Sequence, residues 1–281
     1  MRLLCVANWS EGRDEVLLAA VRDALRSRGA TVHFDGSDAD HNRVVTAFSG
    51  SAEEVRETLF SVAAVAFQGI DMRSHDGVHP RSGALDVCPF ILLDGELEHA
   101  VQFVNEVAEH LAHDYGLPVF LYEHSETGRH AADLPSLRKG QYEGLFGREL
   151  NPDFGPSTAN AKLGATVFGV RDWLLAVNVD LPQDALAKAK SIAREIRVLR
   201  DEGDPRMCGI RALGLHLLRR GLSQISMNLT NPEATSPDEI IRWIATQAEV
   251  VQTELIGVIR EGDVANATLL PVEPNQIITI P

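Results

Sequence analysis

The order of predicted elements repeats along the chain, and that repeat constrains the fold more than any single motif does. Apolar runs at residues 3–7, 31–35, 44–48 and 85–93 read as strands. Residues 14–28 place Val16, Leu17, Ala20, Val21, Ala24 and Leu25 on one stripe of a helix that Gly29 stops. Ser51 and Glu54 form a capping box that opens a second helix, to about residue 67. The order restarts at residues 174–179. It continues as a helix at 183–199, strands at 210–218 and 223–229, a Ser236–Pro237-capped helix to about 250 and a strand at 254–259.

Both halves therefore spell strand–helix–strand–strand–helix–strand. That order predicts an α+β chain of two ferredoxin-like (βαββαβ) subdomains, with the ligand crevice expected between their sheets. The first is enlarged by a helix at 96–115 and a strand at 119–122. The subdomains are expected to divide the chain as 1–165 and 166–281. A length of 281 residues with 44% apolar content is enough to give each a core.

Residues 70–90 hold two histidines, two arginines and three aspartates, broken by Gly77, Pro80 and Gly83. Such a run reads as a shaped loop, and loops held by rigid elements are where chemistry concentrates. Pro80 biases His79 toward extended geometry, which would hold its imidazole at a set angle for proton transfer. Arg81 has the fork to grip a carboxylate. The same loop also reads as purely structural. His75, His79 and Asp86 can be drawn as a metal set, but Gly77 and Pro80 deny the two histidines a helical spacing, and no metal is expected. Asn42 and Arg43 close a polar turn. Gly155 and Pro156 force another turn, at the end of a polar stretch (123–163) too long for a passive connection. Gln224, Ser226 and Asn228 share one face of a strand, which either lines a cleft or is simply wet.

A net charge of −14 argues against nucleic acid as a partner. No apolar run reaches the ~18 residues of a membrane span, no membrane partner is expected, and three dispersed cysteines suit a reducing compartment. A cytoplasmic location is expected.

The stretches Asn8, Ser10–Arg13, Asn42–Arg43, Ile70–Met72, His75, His79–Arg81, Gly83–Phe90, Pro152–Ser157, Gly164–Thr166 and Gln224, Ser226 and Asn228–Leu229 resemble the formiminotransferase family, over about residues 2–260. The resemblance implies transfer of a formimino group from N-formimidoyl-L-glutamate to N5 of tetrahydrofolate, the step of histidine degradation that feeds one-carbon metabolism. It implies that His79 is the catalytic acid–base. Folate contacts are implied along Gly155, Pro156, Ser157, Thr158, Ala159, Asn160, Ala161, Lys162, Leu163 and Gly164, and at Pro205. Asn8, Asn42, Arg43 and Arg81 are expected to face the substrates. The chain departs from the family's usual Phe, Glu and Trp at Trp9, Val78 and Leu163. Tetrahydrofolate is thus expected as co-substrate, with a homodimer as the assembly. The other readings are a glutamate formyltransferase using the same cleft, and a folate- or ligand-binding paralogue without turnover.

Overall fold

The computed structural model describes residues 1–280, and they form two compact units, Met1–Arg171 and Asp172–Ile280. The first contains β1 (Arg2–Trp9), α1 (Glu15–Leu25), β2 (Thr31–Asp38), β3 (Arg43–Ser51), α2 (Ala52–Gly69), β4 (Leu85–Asp94), α3 (Leu97–Tyr115), β5 (Val119–Leu121), the single turn α4 (Leu134–Leu137) and β6 (Thr166–Val170). Its sheet runs β2-β3-β1-β4-β6-β5. The first four strands are the antiparallel ferredoxin-like set, while β6 pairs in parallel with both β4 and β5.

α1, α2 and α3 bury their apolar stripes in one cluster with Leu3, Trp9, Phe48, Phe90 and Phe168 from the sheet. The capping box at α2 is formed: Glu54 N donates to Ser51 Oγ at 3.3 Å and Ser51 N to Glu54 Oε2 at 2.7 Å.

The second unit contains β7 (Leu175–Pro182), α5 (Leu186–Asp201), β8 (Ile210–Leu217), β9 (Leu222–Leu229), α6 (Pro237–Ala245) and β10 (Gln252–Ile256), in the sheet order β10-β7-β9-β8. This is the second βαββαβ set. The two-residue strands β11 (Ile259–Arg260) and β12 (Ile277–Ile278) pair in parallel beyond it. The expected face of β9 exists, and Gln224 on it is buried, donating from Nε2 to Asp180 Oδ1 at 2.8 Å. Burial raises the Asp180 carboxyl above the ordinary carboxylate range, against donors from Gln224, Gln252 and Arg220 that pull it down.

Three elements differ from the sequence reading. α6 ends at Ala245 rather than near 250, the last long strand is Gln252–Ile256, and β6 is a strand that periodicity did not reveal. All five residues of β6 are buried, so it shows no alternation, and Gly169 interrupts its apolar run. That glycine is required, because a Cβ there would lie 2.3 Å from the Tyr122 carbonyl oxygen. Among the described residues no helix is long and apolar enough to cross a membrane.

Candidate functional site

The loop between α2 and β4 is laced to its neighbours by backbone. Ser10 N donates to Ala84 O at 2.8 Å, Met72 N to Lys162 O at 2.8 Å, Ala84 N to Leu163 O at 2.8 Å and Ala165 N to Ser82 O at 3.1 Å. Gly83 and Gly164 bridge one another, and a Cβ on either would sit 2.2 Å from a carbonyl oxygen. Only glycine lets these chains approach so closely. The turns at 70–84 and 160–165, read separately in the sequence, thus form one structure.

Asn42 fastens the other side. Its backbone is left-handed (φ 48°), a conformation asparagine tolerates. Its Oδ1 accepts from Gly12 N at 2.9 Å, its Nδ2 donates to Asp76 O at 2.9 Å, and its carbonyl accepts from His75 Nε2 at 2.9 Å. His75 Nδ1 in turn accepts from Arg81 Nε at 3.2 Å. Both ring nitrogens of His75 are therefore used in holding the loop. Burial, opposed by the Asn42 carbonyl and helped by Arg81, lowers its pKa.

Asp86, fully buried at the start of β4, is the charge at the centre. Its carboxylate accepts from Ser82 N at 2.9 Å, Arg43 Nη2 at 2.5 Å, and Arg138 Nε at 3.1 Å and Nη2 at 2.5 Å. Arg43 also donates from Nη1 to Asn8 Oδ1 at 3.1 Å and from Nη2 to Pro80 O at 2.9 Å. Burial pulls the Arg43 pKa down to about 10. Asp86 holds it up, while Arg138 pushes the same way as burial. Of His75, His79 and Asp86, Asp86 serves two guanidinium groups and His75 serves the loop. Among the described residues no group of three or more His, Cys, Asp or Glu is placed to hold a metal ion.

His79 is only partly buried, and Nδ1 lies 2.9 Å from the Pro80 carbonyl oxygen. A carbonyl can only accept, so Nδ1 carries the hydrogen and Nε2 keeps its lone pair. The His41 ring lies 5.5 Å away, centroid to centroid. The His79 pKa is pushed well below the ordinary value by burial first, then by Arg43, Arg138 and His41, with the Pro80 carbonyl opposing. The ring is a neutral base with one available nitrogen.

Arg81 does not stand with an empty fork: Nη1 and Nη2 donate to Glu143 at 2.9 and 2.7 Å. The two arginines expected to face substrate both already face carboxylates of this chain. In the turn at 155–164, Gly155 (φ +84°) packs against the Leu117 carbonyl, and Pro156, Ser157, Thr158 and Ala161 are exposed. Ala159 packs partly on the core, and Asn160 Oδ1 accepts from the amides of Lys162 and Leu163. Lys162 Nζ donates to the carbonyls of Phe67 and Gln68 at the end of α2. Leu163 is in the core. Pro205 is exposed in a short turn of the second unit.

Sequence reasoning missed Arg138 and Glu143, whose only signal was the unusual length of the 123–163 connection. The structure puts His130 Nε2 at 2.6 Å from Asp153 Oδ2. Burial works to raise the Asp153 carboxyl, but hydrogen bonds from Thr127, Leu121 and His130 outweigh it and hold it below the ordinary range.

The sequence is matched in known proteins. A model described as the formiminotransferase domain, N-terminal subdomain, matches residues 2–171. The chain is 35% identical over 264 residues to glutamate formimidoyltransferase of Streptococcus pyogenes serotype M1, covering 90% of this chain and 87% of that one. It is 34% identical to the protein of the same name from Thermoplasma acidophilum, covering 92% and 88%. It is 36% identical to formimidoyltransferase-cyclodeaminase of Sus scrofa over 91% of its own length, and spans 49% of that longer protein. With a domain model over most of the chain and relatives matched nearly end to end, the chain belongs to the formiminotransferase family.

Proposed function

We propose that this chain transfers the formimino group of N-formimidoyl-L-glutamate to N5 of tetrahydrofolate, with His79 carrying the proton. The observation that supports this reading best is the His79 ring, neutral, with Nδ1 tied to Pro80 and Nε2 available. The names of the matched relatives supply the reaction class. The N5 amine attacks the amidine carbon and a tetrahedral centre forms. Nε2 takes the N5 proton, then hands it to the departing glutamate nitrogen as that carbon–nitrogen bond breaks. The ring ends as neutral as it began. Such a positioned base contributes typically ~10²–10⁴ in rate, and holding two substrates together supplies much of the remainder.

The exposed run Pro156–Thr158 with Ala161, and Pro205, are the positions assigned to folate in this reading. Arg43 and Arg81 are assigned to building the loop, because their forks are already occupied. Pure protein mixed with formimidoylglutamate and tetrahydrofolate should release one glutamate per formimino-folate formed, read by folate absorbance. Folate binding without product would replace this reading with a ligand-binding one. Product from N-formylglutamate alone would replace the donor.

A further inference from the structure

We propose that Asp86 is a positioning residue for His79, acting through Arg43 and the carbonyl of Pro80 to fix which ring nitrogen carries the hydrogen. The inference rests on His79 being the proton carrier. Asp86 lies on β4 and does not touch His79. Its carboxylate holds Arg43 Nη2 at 2.5 Å, and that same nitrogen donates to Pro80 O at 2.9 Å. Pro80 O then takes its second hydrogen bond from His79 Nδ1, also at 2.9 Å. A carbonyl oxygen has two lone pairs, and here both are filled. Rotating the imidazole or moving its hydrogen to Nε2 would leave one of them empty inside a crowded loop. Asp86 also accepts from Ser82 N at 2.9 Å, so the same carboxylate sets both the guanidinium and the backbone just past His79.

The sign of this device differs from a direct carboxylate–imidazole pair. A carboxylate touching Nδ1 would favour the imidazolium. Here a neutral carbonyl touches Nδ1, and the charges acting on the ring include two guanidinium groups held by Asp86. The groups facing His79 are Arg43 from β3, Arg138 from the connection after α4, and His41 from the turn between β2 and β3. All three disfavour a second proton, so Nε2 stays ready to accept one. Arg138 is delivered to Asp86 by the long connection, which assigns that connection a part in the site.

The test uses the full chain with ¹⁵N-labelled histidine. In the unaltered protein the His79 shifts should show a protonated Nδ1 and a bare Nε2 near pH 7. Asp86→Asn removes the charge and turns one acceptor oxygen into an NH2 group facing donors, so the four hydrogen bonds that the carboxylate accepts cannot all survive and the hold on Arg43 is loosened. The expected result is a mixture of His79 tautomers, with kcat lowered at least about tenfold and at most the ~10⁴ of the whole proton-transfer effect, and KM changed less than twofold. Arg138→Gln keeps the Asp86–Arg43 pair. It should preserve the tautomer while moving the acid limb of kcat/KM to higher pH, and it remains informative if Asp86→Asn fails to fold. An unchanged, single Nδ1–H tautomer in folded Asp86→Asn overturns the proposal, as does an unmoved acid limb in Arg138→Gln. Full turnover in His79→Ala would overturn the role of His79 itself, and the ring shifts of Asp86→Asn would still decide the Asp86 link.

Discussion

Arg81 and Glu143 meet fork to fork, at 2.9 and 2.7 Å, although 62 residues of chain separate them. The contact fastens the long connection onto the loop that carries His79. Tyr142 N reinforces it by donating to Arg81 O at 2.9 Å. The pair is uneven, because the Arg81 side chain is 8% exposed and that of Glu143 is 65% exposed.

That unevenness predicts what Glu143→Gln does. An ion pair open to water on one side contributes ~0–1 kcal/mol, so the urea midpoint should barely move. The local effect should be larger. Amide exchange at Tyr142 and protease nicking between 138 and 148 should both accelerate. The hydrogen bonds of Arg81 hold the Glu143 carboxyl below its ordinary range. The pair's contribution is therefore present above the unfolded carboxyl pKa of ~4.3 and fades as pH falls through the lower folded value. Unchanged exchange rates would detach the connection from the loop.

Asp86→Ala should behave oppositely. It leaves Arg43 and Arg138 beside each other with no shared counter-ion, and removing one partner of a buried ion pair costs about 3–5 kcal/mol. Denaturant unfolding should show that loss. A change under ~1 kcal/mol would mean the two guanidinium groups reach water easily.

His79→Ala should lower kcat by ~10²–10⁴ while folate affinity, measured by calorimetry, stays within twofold. The side chain's hydrogen bond is to the next residue's carbonyl and its ring neighbour is His41, so stability should change little. A mutant with ordinary turnover and weak folate binding would make His79 a binding group.

The pH dependence follows from the same ring. The folded pKa of His79 is depressed, first by burial and then by its cationic neighbours. The native state thus holds fewer protons than the unfolded chain below the ordinary value of ~6.5. Its stability contribution is full above that pH and is lost as pH falls toward the folded value. With His79 as the proposed base the neutral ring does the work, so the acid limb of kcat/KM should lie below pH 6.5. An acid limb above 7 would contradict the environment described.

Lys162→Met tests the end of α2. Nζ satisfies the Phe67 and Gln68 carbonyls at 2.9 and 2.8 Å, in the position where a cation suits the helix dipole. Losing it should cost about 1 kcal/mol in a thermal or urea melt. Because the ammonium is committed to the helix, folate affinity should hold within twofold, and a tenfold loss would place the lysine on the ligand.

Much of this was legible in the sequence. The doubled element order gave both ferredoxin-like units, because amphipathic helices and alternating strands write their period locally. The capping box at Ser51 was readable for the same reason. β6 was not, since a strand buried on both faces between parallel neighbours has no period to display. The loop itself was found from Gly77, Pro80 and Gly83, and the family's motif marked His79. What stayed hidden was the wiring. Arg138 and Glu143 reach Asp86 and Arg81 across 52 and 62 residues, and nothing local in a polar stretch says which charge will be buried. The same limit hid the partner of Arg81, whose fork faces Glu143 of its own chain.

The sheet order carries a consequence for how the first unit is made. β5 has no strand beside it except β6, and β6 follows it by more than forty residues of connection. A growing chain that has emerged only to residue 150 can pair β1 through β4, yet leaves β5 as a bare edge. Arrival of residues 166–170 closes that edge. In the same movement it sets Gly164 against Gly83 and draws the His79 loop taut. The loop around His79 is then completed late in synthesis, together with the last strand of the sheet rather than with the histidine itself.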